Sequence, residues 1–112
     1  MVKIEVTADP LALTQLREAL DDLGCAGVTL SEVRVMGTEP HAQRFRGGSF
    51  APLRNAVRLE VVLPARRVEE ALEIFVRAAR IDSRCDGQIL VLPLSGALRI
   101  RTGETGENAL AQ

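Results

Sequence analysis

An α+β sandwich, with one four-stranded sheet and two helices on one of its faces, is the fold class this sequence predicts. Two observations predict it: a strand–helix–strand pattern occurs twice, and a long polar stretch separates the copies. The chain has 112 residues, 46% of them hydrophobic and 26% charged, and no Ser/Gly linker or charge run divides it. A single domain over 1–112 with one core is therefore expected.

The first copy opens with Val2, Ile4 and Val6 alternating with polar residues, as in a half-buried strand. Asp9-Pro10 reads as an N-cap and first helical position. Leu13, Leu16, Leu20 and Leu23 recur at spacings of three and four, which makes one apolar helical face, and Gly24 is a natural stop. A strand follows over about Val28–Val35, with a slip in alternation between Leu30 and Val33 that suggests a bulge. In the second copy Val57, Leu59, Val61 and Leu63 alternate until Pro64. Val68, Ala71, Leu72, Phe75 and Ala79 form the next helical face, with Arg77 and Arg80 near its C-terminus, where the helix dipole favours cations. Ile89–Leu92 is uniformly apolar and predicts a more fully buried fourth strand. The order βαβ-βαβ describes a ferredoxin-like arrangement whose second sheet face needs cover, which oligomerisation would supply.

The segment Gly37–Ala56 is polar, contains Pro40, Gly47, Gly48 and Pro52, and shows no sustained periodicity. Loops of this length in compact domains are usually functional or disordered. Arg44, Arg46 and Arg54 make it locally basic, and Phe45 and Phe50 are two of only three aromatic residues in the chain, a composition that suits a contact surface.

A net charge of −1 removes any whole-chain argument for nucleic acid or an anionic membrane. The N-terminus lacks the apolar core of a signal peptide, and no apolar run approaches a membrane span, so a cytoplasmic protein is expected. Cys25 and Cys85 lack metal-ligand spacing and should be reduced thiols there; His41 is the lone histidine, and no metal site is expected.

Arg99-Ile100-Arg101-Thr102-Gly103-Glu104 carries the clearest chemistry. Two arginines at i and i+2 on a short strand would project from one face, where paired guanidinium forks suit phosphate or carboxylate. A solvated strand edge is the alternative. Upstream, Arg84-Cys85-Asp86-Gly87-Gln88 precedes the apolar strand.

With Val2-Lys3-Ile4-Glu5, Leu16-Arg17-Glu18-Ala19-Leu20, Gly27 to Arg34, Arg46-Gly47, Val57 to Val62 and Ala78-Ala79-Arg80, these segments resemble the PII signal-transduction family along essentially the whole chain. The resemblance implies a homotrimer whose intersubunit clefts bind adenine nucleotides and whose T-loop, about 37–56 here, contacts a partner protein. It places Thr29, Glu60 and Val62 at the adenine and ribose end. Asp86, Gly87 and Gln88 would lie in a phosphate-binding B-loop, about 81–88, and Gly37 at the entry to the T-loop. Arg99 and Arg101, in a C-terminal segment spanning 95–112, would reach the phosphates from the neighbouring subunit. The loop residues Arg44, Phe45, Arg46, Phe50 and Arg54 would face a transporter or metabolic enzyme, which could bring the protein to a membrane.

Several positions depart from the family pattern. Cys85 replaces a glycine, Gln88 a lysine, Val35 a glycine, Thr38-Glu39 an Arg-Gln pair and Ala56 a lysine; the chain has no tyrosine, and Phe50 occupies the neighbourhood of the one that some members uridylylate. These losses fall where the family holds the outer phosphate, Mg²⁺ and 2-oxoglutarate. ADP or AMP is therefore expected to compete well with ATP, and no permanent cofactor is expected, although Glu39 could ligate Mg²⁺. Some divergent relatives are linked to carboxysomes and bicarbonate or to metal efflux, and these remain alternatives to nitrogen sensing. A trimeric divalent-cation tolerance protein is an alternative of another class. An enzymatic reading built on Cys85-Asp86 is disfavoured because Arg84 alone is a weak activator of a thiol.

Overall fold

The computed structural model describes residues 1–25, 27–36, 53–80 and 87–110, and the backbone of 44–45 and 48–49. Its long strands are β1 (Val2–Ala8), β2 (Val28–Met36), β5 (Leu53–Leu63) and β6 (Gln88–Pro93). They form one antiparallel sheet in the order β2-β5-β1-β6. Two short strands, β3 (Arg44–Phe45) and β4 (Gly48–Ser49), pair with each other inside the long connection. Helices α1 (Leu13–Leu23) and α2 (Val68–Ala79) cover one face, as the ferredoxin-like pattern requires.

Local chemistry sets the helix ends. The Leu11 amide donates to Asp9 Oδ1 at 2.8 Å, which starts a 3-10 turn over Pro10–Ala12 that runs into α1. Gly24 ends α1 at φ 68°, a left-handed conformation that favours glycine. Arg67 Nη2 donates to the Leu23 carbonyl at 2.6 Å, which ties the turn before α2 to the C-terminal end of α1. Glu69 and Glu70 in the first turn of α2, with Arg77 in its last, complement the helix dipole.

The core lies between helices and sheet. Ile4, Val6 and Ala8 of β1 and Val57, Leu59, Val61 and Leu63 of β5 meet Leu16, Leu20 and Leu23 of α1 and Ala71 and Phe75 of α2. Period-two alternation on the strands and the three-and-four spacing on the helices bring these residues to one layer.

Four expectations need correction. β5 begins at Leu53, so the last four positions of the expected 37–56 loop belong to a strand. β2 pairs with β5 in unbroken register from Val28↔Val61 to Met36↔Leu53, without a bulge. Its alternation slips because no position of this edge strand is fully buried in the single chain: Val28 packs against the core, but Leu30 is 45% exposed. β6 is an edge strand, not a buried one: Leu90, Val91 and Leu92 are all substantially exposed in the single chain. Arg99 and Arg101 do not leave a strand. They sit on a tight turn, where the Gly103 amide donates to the Arg99 carbonyl at 2.8 Å and the Arg99 amide to the Glu104 carbonyl at 2.9 Å. Gly103, at φ 74°, reverses the chain there.

Candidate functional site

Strand register assigns the predicted site residues to rows on the sheet face opposite the helices. One row reads Leu90, Glu5, Glu60, Thr29 across β6, β1, β5 and β2. The next, toward the N-terminus of β1, reads Leu92, Lys3, Val62. A third, on the other side, reads Gln88, Thr7, Arg58, Ser31. Thr29, Glu60 and Val62 are therefore neighbours on this face. Gln88 lies three strand spacings from the β2 edge, about 14 Å across the sheet.

Glu60 is the best-defined side chain of this group. Lys3 Nζ lies 3.0 Å from Glu5 Oε1 and 3.1 Å from Glu60 Oε2, so one ammonium holds two carboxylates. Its hydrogen bonds to Glu5 and then Glu60 hold the Lys3 ammonium above its ordinary range, against a smaller opposing effect of desolvation.

Two clefts flank this face at opposite ends of the strands. The first encloses about 600 Å³ and is lined by Gly27, Val62, Pro64, Arg66, Arg99 and Glu107 among others. It forms because β2 starts opposite Val61, leaving Val62 and Leu63 to run past it. The C-terminal segment then closes the opening. The Gly106 amide donates to the Ala97 carbonyl at 3.2 Å, Arg66 bridges to Glu107 at 2.7 Å, and Arg99 Nε donates to the Ala109 carbonyl at 3.1 Å. Cys25 also lines this cleft, half-buried, and burial pushes its thiol above the usual range, opposite to what a reactive nucleophile needs. Arg101, one residue beyond the almost fully exposed Ile100, points no contact back to this cleft.

The second cleft, about 590 Å³, opens where β1 stops and β5 continues. Thr7, Asp9, Arg34, Arg54, Arg58 and Gln88 are among its walls. Three arginines against one aspartate make it suited to an anion. Gly87 sits tightly beside it, since a Cβ at that position would come within 3.2 Å of the Thr7 carbonyl. The strand positions beside Gly87 and beside Arg99 differ by about six residues along β5, roughly 20 Å. One chain thus separates the Gly87–Gln88 pair from Arg99.

Gly37, Asp86, Arg46 and Phe50, with Cys85, His41 and Glu39, lie outside the described residues, as do the side chains of Arg44 and Phe45. Among the described residues no cluster of three or more His, Cys, Asp or Glu could hold a metal ion, and no helix is long and apolar enough to cross a membrane. Sequence reasoning missed Lys3, Arg66 and Glu107. The polar alternation of Lys3 and Glu5 in β1 was a usable signal for the first; the Arg66–Glu107 pair spans 41 positions and had none.

A four-stranded antiparallel sheet with two helices on one face, and Lys3, Glu5, Glu60 and Arg58 on the other between two clefts, is the architecture of a ferredoxin-like α+β protein. The chain belongs to the P-II family: the family model described as nitrogen regulatory protein P-II matches residues 1–104. It is 40% identical over 112 residues to the nitrogen regulatory protein P-II of Cereibacter sphaeroides, and 38% identical to those of Rhodobacter capsulatus and Haemophilus influenzae. In each case 98% of this chain and 100% of the relative are covered. The crystal structure of Arabidopsis thaliana PII bound to citrate is similar at a TM-score of 0.79 and 33% identity, covering 96% of this chain and 90% of that one. These are signalling proteins, and the match extends through the long connection and the C-terminal turn.

Proposed function

We propose that the chain is a non-enzymatic homotrimeric signalling protein of the cytoplasm. It binds an adenine nucleotide in clefts between subunits and regulates a transporter or metabolic enzyme through the connection 37–52 that precedes β5. The observation that carries this reading is the separation of the two half-sites. Val62 and Arg99 line the cleft at one end of the sheet and Gln88, with Gly87 beside it, the cleft at the other, with Thr29 and Glu60 in a row between them. A ligand that needs both must bridge two copies. The apolar, exposed β6 edge supports association, because a strand with Leu90, Val91 and Leu92 in water is an open template for another chain.

Arg99 and Arg101 hold the inner phosphates in this reading, while Gln88 and Ala56 no longer supply cations to the outer one. Each lost charge-assisted hydrogen bond costs about 1.5–3 kcal/mol, roughly tenfold to a hundredfold in affinity. ADP and AMP then compete well with ATP, and the Mg-ATP-2-oxoglutarate response is weak. Titration calorimetry with ATP, ADP and AMP, each with and without Mg²⁺, 2-oxoglutarate and bicarbonate, tests it. Comparable AMP and ATP affinities are expected. ATP binding that strengthens markedly with 2-oxoglutarate would return the chain to ordinary nitrogen sensing, and a bicarbonate-dependent shift would assign it to inorganic-carbon signalling.

A further inference from the structure

Glu5 and Glu60 are direct cross-strand partners on the open sheet face, so two carboxylates stand opposite one another on adjacent strands. Like charges in this position repel and are destabilising. Lys3 resolves the conflict from the neighbouring row. Its ammonium reaches both carboxylates at 3.0 and 3.1 Å, and all three side chains are less than a third exposed. An exposed lysine has many rotamers of similar energy, and a single carboxylate contact rarely restricts them. Two simultaneous contacts restrict both the ammonium and the carboxylates. Glu60 is thereby fixed beside Thr29, its other cross-strand partner.

We infer that Lys3 is a positioning residue for nucleotide recognition: by clamping Glu60 against the sheet it aims that carboxylate at the ribose hydroxyls of an adenine nucleotide. The inference rests on the proposed nucleotide site, and within that site it assigns ribose recognition to a pair rather than to Glu60 alone. A carboxylate is an acceptor for two neighbouring hydroxyls only when its plane is held, and an untethered Glu60 would turn toward water and away from Glu5.

The test compares ATP with 2′-deoxy-ATP on the full-length protein by calorimetry. In the wild type, ATP is expected to bind more tightly than the deoxy ligand. Lys3→Gln is expected to lower ATP affinity about tenfold while leaving 2′-deoxy-ATP nearly unchanged, and Lys3→Arg to restore most of the loss. The double variant Lys3→Gln with Glu5→Gln removes the repulsion as well as the clamp, which safeguards folding. It is expected to keep the ribose-specific loss. Equal losses on both ligands in Lys3→Gln, or full recovery in the double variant, would overturn the positioning role: the first would mean general disruption, the second mere neutralisation of Glu5. A wild-type protein that binds no adenine nucleotide would overturn the proposed function and this inference with it. A wild type that binds ATP but shows no preference over the deoxy ligand would overturn the inference alone.

Discussion

The two faces of the central sheet are built from the same strands and put to different uses. On the helix side, Ile4, Val6, Leu59 and Val61 are essentially inaccessible and close over Phe75 and Leu16. On the other side, the alternate positions of the same strands present Lys3, Glu5, Glu60 and Arg58. A period of two lets one strand serve both faces without compromise, because a substitution on one face leaves the packing of the other largely intact. Stability should therefore reside on the helix face and recognition on the open one.

The sharpest way to break this division is Phe75→Ala. Phe75 is completely buried, and its removal should cost about 3–5 kcal/mol in denaturant unfolding. Nucleotide affinity, measured where the variant is still folded, should barely change. Leu90→Asp makes the reverse case. Leu90 is 43% exposed on the open face of the edge strand. A carboxylate there should leave secondary structure intact and abolish the proposed trimer in sedimentation, taking the proposed nucleotide binding with it. Retention of a full-strength site by a monomeric Leu90→Asp protein would contradict the bridging of two half-sites.

Arg99→Gln acts on a smaller scale and on one half-site only. The side chain lines the first cleft and donates to the Ala109 carbonyl at 3.1 Å. Loss of its charge should weaken ADP binding by about tenfold to a hundredfold in calorimetry, with the trimer preserved.

The same division explains what the sequence could convey. The helix face was legible because burial enforces periodicity: Leu16, Leu20 and Leu23, or Val57, Leu59 and Val61, announce a surface simply by their spacing. Caps at Asp9 and Gly24 were legible because each is local. Ile89–Leu92 misled because an apolar run reports burial without saying by what: in the single chain Ile89 packs against the core, while Leu90, Val91 and Leu92 stay exposed. Arg99 and Arg101 misled for another reason. Residues at i and i+2 share a face only while the backbone is extended, and Gly103 turns it instead. The alternation of Lys3 and Glu5 put both on one strand face, but the second half of the clamp was out of reach, since it depends on a register that sets residue 3 near residue 60.

The finest discrimination between the faces is available in alkali. Both Lys3, on the open face, and Cys25, beside the core, have folded-state pKa values raised above their usual 10.5 and 9.0. A raised value means that the folded protein holds its proton after the unfolded chain has begun to lose it. Each contribution is therefore intact below the unfolded value and declines as pH rises through the folded one. The Cys25 effect comes chiefly from burial, so it should begin near pH 9 and vanish in Cys25→Ala. The Lys3 effect comes chiefly from its carboxylate partners, so it should begin only above about pH 10.5, shrink with added salt and vanish in Lys3→Gln. Thermal melts across pH 8–11.5 would separate them. A single alkaline transition, insensitive to salt and unchanged in Lys3→Gln, would show that the clamp is loose in solution and that Glu60 finds its orientation without it.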